Sequence, residues 1–254
     1  MKKTIKTGPG TEGLSRNQER IMSILEYKKI EIITREELLN LIQRYMNIKD
    51  KVNLIEKLHK KRRIVSLKKG LYMVVPISAI DKKWALDEFK IIDYFIKNNY
   101  YIGLYNAFNL YGFTEQIPNK MFVFNTKYSA DRTILNLRYK FFKINKNKIF
   151  GITNDKYPYS DKERTIIDAL DYNNYLGTLN EVMERIKAQK YDKSRLVDYA
   201  IKYNSIKVMK LVGMLTNSHK LLNVLKRKNA LTYYTTIKRA GTKLLEKKWK
   251  IRLI

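Results

Sequence analysis

Residues 51–75 read KVNLIEKLHKKRRIVSLKKGLYMVV, a basic helix running into a basic hairpin. On a helical wheel Leu54, Ile55 and Leu58 fall together, while Lys49, Asn53, Lys57 and Lys60 cluster on the opposite side. Glu56 is the one acid near that outer face. The spacing predicts a helix over about 48–60, with Val52 turned inward beside Ile55 and Leu58. Lys61, Arg62 and Arg63 then lead into two short strands, 64–67 and 71–75, joined by Lys68-Lys69-Gly70. Gly70 supplies the positive φ that a tight hairpin turn needs. From Lys57 to Lys69 there are seven basic residues and no acid.

Upstream, Ser15 and Asn17 are candidate caps for a helix whose Ile21, Ile24 and Leu25 recur at helical spacing. Thr34 and Glu37 form a capping box ahead of Leu38, Leu39 and Ile42. Three helices followed by a hairpin, closed by Pro76, predict a winged helix-turn-helix over residues 15–80. In that motif the third helix enters the major groove and the hairpin wing flanks it along the backbone. DNA contact is therefore expected from Lys49, Asn53, Lys57, Lys60, Lys61, Arg62, Arg63, Lys68 and Lys69. Winged helices also dock proteins, but a basic third helix joined to a basic wing tip favours DNA.

The segment before this unit, residues 1–14, has three lysines, three glycines and a proline and reads as a flexible leader. Beyond it, residues 81–254 predict a mixed α/β domain. Helices are expected over 81–98, 102–111, 161–171, 179–189, 193–203 and 206–215, and strands over 120–125, 135–144, 148–152, 231–237 and 249–254. The fold class expected is thus α+β. Phe122, Phe124, Tyr139, Phe141 and Phe142 sit on these strands as core residues, not as base-stacking rings.

Composition bounds the chemistry. The chain has 254 residues, 52 Lys and Arg against 24 Asp and Glu, and a formal net charge of +28. A codon bias that favours Lys, Ile, Asn and Tyr would raise Glu as well, so the basic excess points to an anionic partner. At 44% hydrophobic residues the chain can build a globular core. It has no cysteine and two histidines, which excludes a disulfide scaffold, a thiolate site and a histidine-rich metal centre. His59 is expected to pack or face solvent, and His219 to start a helix. No apolar run approaches the roughly 20 residues of a membrane span, and a soluble cytoplasmic protein is expected.

The ten glycines include no phosphate-cradling loop, so no nucleotide cofactor is implied. Glu163, Asp168 and Asp171 could be imagined as paired carboxylates. Asp161 reads better as a helix cap with Glu163 beside it, and Arg164–Asp168 as an ordinary surface pair worth a few tenths of a kcal/mol. The Glu-x-Lys matches at Glu26 and Glu246 follow no suitably placed Asp and carry no nuclease signature. No Gly-Ser and no Asp-x-Asp occurs, which excludes a nucleotidyltransferase centre.

Three stretches resemble one family. They are Gly70-Leu71-Tyr72, the run from Tyr101-Ile102-Gly103-Leu104-Tyr105-Asn106-Ala107 to Tyr111-Gly112-Phe113-Thr114-Glu115-Gln116-Ile117-Pro118, and Glu163-Arg164-Thr165-Ile166-Ile167-Asp168-Ala169-Leu170. Together they resemble the AbiEi antitoxins of type IV (abortive infection) toxin–antitoxin systems, over nearly the whole chain after residue 14. The resemblance implies a winged helix that binds inverted repeats in its own promoter and represses it. It further implies a second domain that counters a nucleotidyltransferase-like toxin without a stable complex. Winged helices on palindromic sites usually act one per half-site, so two molecules are expected per operator. With no metal-ligand cluster and no arranged nucleophile and base in the sequence, no enzyme activity is expected. After His219, however, the chain has eleven basic residues and one acid, Glu246, more basic than the family suggests. A nucleic-acid-processing enzyme or RNA-binding protein acting through this basic domain is the alternative.

Overall fold

The computed structural model describes residues 13–46, 49–77, 88–96, 99–134, 137–153, 155–238, 240–241 and 243–254. Among them ten α-helices and three sheets make an α+β fold. The chain divides into two compact units, one within 1–91 and 134–136, the other within 92–133 and 137–254. The expected leader falls largely, and the expected domain boundary wholly, outside the described residues.

The first unit runs α1 (Arg16–Tyr27), β1 (Ile32–Thr34), α2 (Arg35–Tyr45), α3 (Lys51–Lys60), β2 (Ile64–Lys68) and β3 (Leu71–Val74). The Thr34–Glu37 box starts α2 as its residues predict: Glu37 N–H donates to Thr34 Oγ1 at 3.2 Å and Thr34 N–H to Glu37 Oε2 at 2.8 Å. Helix α3 starts at Lys51, where the Asp50 carboxylate accepts the Asn53 N–H at 2.9 Å. Leu54, Ile55 and Leu58 enter a core with Ile21, Leu25, Leu38 and Ile42. Val52, expected inward, is 41% exposed, because at about 100° per residue it lies off the face that Leu54, Ile55 and Leu58 turn to the core. The sheet is antiparallel in the order β1-β3-β2, and Gly70 takes φ +75° in the hairpin turn. Strand β1 is absent from the sequence expectation: three residues are too few for alternation to show.

Helix α4 (Glu88–Ile96) leads to a second sheet of β4 (Tyr100–Ile102), β5 (Met121–Asn125), β6 (Ala130–Ile134) and β7 (Leu137–Lys143), ordered β4-β5-β7-β6. Helix α5 (Tyr105–Leu110) lies between β4 and β5 in sequence, so the single helix expected over 102–111 is a strand end followed by a helix. Strand β5 is buried at every residue, as a strand covered on both faces must be, and pairs in parallel with β7. Phe122, Phe124, Tyr139, Phe141 and Phe142 are all buried. Residues 148–152 form no strand; Lys146–Lys148 is a 3-10 turn and Ile152 makes one bridge to Ser160.

Five helices follow: α6 (Lys162–Asp171), α7 (Leu179–Lys187), α8 (Lys193–Tyr203), α9 (Ile206–Thr216) and α10 (His219–Arg227). Each begins at a side chain that accepts a first-turn N–H, in order Asp161, Thr178, Asp192, Ser205 and Ser218. Asn204 and Asn217 close α8 and α9 in the left-handed region. A last sheet, β8 (Thr235–Ile237), β9 (Leu244–Glu246) and β10 (Ile251–Leu253), has the order β8-β10-β9.

Candidate nucleic-acid interface

Helix α3 buries one side and leaves the other to its charges. Asn53, Lys57 and Lys60 are exposed at four- and three-residue spacing, and Lys49 is exposed just ahead of the Asp50 cap. Glu56 is exposed among them. At the hairpin tip Lys68 and Lys69 are exposed, and Ser66 Oγ donates to the Lys68 carbonyl at 3.1 Å, pinning a bulge between Ser66 and Lys68. Arg62 is exposed at φ +53°, in the turn from α3 into β2.

Two of the nine basic and polar positions depart from the expected role. Arg63 is 4% exposed; its Nη1 donates to the Pro76 carbonyl at 3.2 Å, tying the entry of β2 to the exit of β3. Its guanidinium is enclosed by its own fold and does not reach a phosphate. Lys61 is half-buried, and its Nζ donates to Gln18 Oε1 at 3.2 Å and to the Gly13 carbonyl. That clasps α3 to the start of α1. The segment just past β3 puts Arg63 inside, with the Val75 N–H donating to the Arg63 carbonyl at 2.8 Å and Pro76 accepting from its guanidinium, which no wheel drawn on α3 alone can show.

In the second unit, the stretches 101–118 and 163–170 meet. The Tyr101 hydroxyl donates to Asp168 Oδ2 at 3.0 Å and accepts from Arg164 Nη2 at 2.6 Å. Arg164 Nη2 also lies 2.9 Å from Asp168 Oδ1, with both side chains fully buried. The pair expected on the surface is therefore inside the protein, because Ile166, Ile167, Ala169 and Leu170 leave α6 no solvent side. Burial pushes the Asp168 carboxyl up to about 6 despite the Arg164 and Tyr101 hydrogen bonds, and holds the Tyr101 hydroxyl well above its ordinary range. Asp161 caps α6 as expected and also accepts from Arg195 at 2.7 Å and the Tyr199 hydroxyl at 2.8 Å. Glu163, nearly buried, accepts the Asp192 N–H at 3.0 Å at the start of α8. These acids join elements together.

A groove of about 480 Å³ opens beside the 101–118 stretch, lined by Tyr105, Gln116, Ile117, Phe122 and Tyr175 among others. Among the described residues no group of three or more His, Asp or Glu side chains is placed to hold a metal ion, and no helix is long and apolar enough to cross a membrane.

The fold has a mycobacterial counterpart. The chain is similar to the crystal structure of the RV2827C protein from Mycobacterium tuberculosis, with a TM-score of 0.71 at 11% identity over 98% of this chain and 95% of that one. At that identity the likeness is one of fold alone. No family model and no curated protein matches the chain.

Proposed function

We propose that the protein is a DNA-binding repressor of its own promoter that also acts as an antitoxin against a nucleotidyltransferase-like toxin. Residues 15–80 are read as a winged helix and residues 81–254 as the antitoxin domain. Support for the first part comes from the element order of the first unit, helix–strand–helix–helix–hairpin, with α3 presenting Lys49, Asn53, Lys57 and Lys60 and the hairpin tip presenting Lys68 and Lys69. One observation carries the reading: apart from Val52, α3 is apolar where it meets the core, and the outward positions Lys49, Asn53, Lys57 and Lys60 are basic or amide, with Glu56 the one acid among them. The antitoxin part rests on the resemblance to the AbiEi family, and the protein then works in the cytoplasm on duplex DNA carrying inverted repeats, one module per half-site.

A gel-shift titration of the full chain on its own promoter tests the DNA reading. Each phosphate contact releases counterions, so binding falls steeply with salt, and Lys68→Ala with Lys69→Ala lowers the log–log salt slope by about 1.8. Asn53→Ala instead relaxes base preference, because an amide can pair bidentately with adenine at about 1–3 kcal/mol of discrimination. A double lysine variant with unchanged affinity and slope removes the hairpin tip from the interface.

A further inference from the structure

The sheet β8-β10-β9 buries the inner face of its central strand β10 and presents the other, while its edge strand β9 is exposed at Leu244 as well as Leu245. Ile237, Ile251, Leu253 and Trp249 are buried on the inner side. In the register across the strands, Thr236, Arg252 and Leu245 stand side by side, and all are exposed. The Tyr234 ring, half-buried, has the Lys250 ammonium 4.9 Å and the Arg252 guanidinium 5.7 Å from its centroid. Lys238, Lys243 and Lys247 are exposed just past the strand ends. The lone acid of this segment, Glu246, pairs in register with buried Ile251 on the inner face and accepts the Lys248 N–H at 3.0 Å. A solvated surface ordinarily mixes both signs of charge. None of the outward positions named here is acidic.

The platform is also held in place from beneath. Lys210 of α9 is buried, and its Nζ donates to the Tyr233 carbonyl at 3.0 Å, Thr235 Oγ1 at 2.9 Å and the Lys250 carbonyl at 3.2 Å. Those bonds tie together the residues on either side of Tyr234 and the Lys250 carbonyl, so the backbone that carries the ring and its two cations is anchored. Desolvation lowers the Lys210 pKa, and three oxygen acceptors hold its protonated form in position.

We propose that this outer sheet face binds single-stranded RNA. An aromatic ring flanked by cations stacks an unpaired base and meets its phosphates, whereas the rings of a duplex stay in their own stack. Strands lie about 4.8 Å apart, so three of them span the length of two or three nucleotides. Leu245 offers an apolar neighbour for a second base, and the exposed Thr236 hydroxyl can donate to or accept from a ribose 2′-hydroxyl, which favours RNA over DNA. The proposal involves residues of the second unit only and does not depend on the promoter reading.

Fluorescence anisotropy of the full chain with labelled oligouridine, oligothymidine and a duplex lacking the promoter sequence tests it. Oligouridine is expected to bind tightest. Tyr234→Ala weakens that binding about tenfold through lost stacking. Lys243→Gln with Lys247→Gln, both at exposed positions that cannot unsettle the core, lowers the single-strand salt slope by about 1.4. Promoter binding by both variants stays at the wild-type level, which separates this site from α3. Absence of oligouridine binding by the full chain, wild-type affinity and slope in both variants, or equal affinity for oligothymidine would each overturn the proposal.

Discussion

Arg164 carries a full charge inside a shell of rings. Its guanidinium lies 4.7 Å from the Phe150 and Tyr203 centroids and 5.2 Å from that of Tyr101, and its Nε and Nη1 have no hydrogen-bond partner. Ring faces offset part of the lost hydration, and Asp168 the rest. Arg164→Met leaves Asp168 buried without its cation and is expected to cost about 3–5 kcal/mol in urea unfolding. The pH dependence has a definite sign. The folded carboxyl of Asp168 is raised from 3.8 to about 6, so the folded state binds the extra proton between those values. Stability from this group is therefore present below about pH 4 and lost as pH rises through about 6. The stability gap between wild type and Asp168→Asn should narrow over that window and stay flat above it; a gap that widens with pH would refute the assignment. The four-residue spacing of Arg164 and Asp168 is plain in the sequence. Their burial is not, because it depends on Tyr101, which lies 63 residues before Arg164 and reaches α6 only once β4 is in the sheet.

Among the elements, those that announce themselves locally were legible. The capping box of Thr34 and the cap at Asp161 rest on side chains within three residues of the N–H groups they accept, so the sequence holds both partners. The three-residue strands β1 and β9 are the opposite case, since what makes them strands is the partner, β3 or β10. One helix has a further constraint. A Cβ added at Gly213 of α9 would sit 2.3 Å from the ring of Trp249, which is 3% exposed and has no room to swing. Gly213→Ala should therefore lower the thermal midpoint: overpacking of about 1–3 kcal/mol outweighs the roughly 1 kcal/mol that alanine gains in a helix. A raised midpoint would mean that the indole can yield.

For the whole molecule, the net charge of +28 was readable at once, and so was the division of α3 into an apolar and a basic side. Which basic residues are spent on the fold was not. Arg63 and Lys61 look like their neighbours in sequence and differ only because β3 and α1 return over them. The proposed division of labour predicts that a full chain with Ala at Lys57, Lys60, Lys68 and Lys69 loses promoter repression in a reporter assay yet still rescues growth against the co-expressed toxin. A folded variant that fails to rescue would bring α3 and the hairpin into toxin neutralisation. The buried Tyr101–Arg164–Asp168 contact holds β4 to α6, so selection on those three residues acts through folding. On the proposed antitoxin reading, a lineage that abandoned its toxin would keep them as long as it kept its shape, and toxin choice would lie on faces that are free to drift.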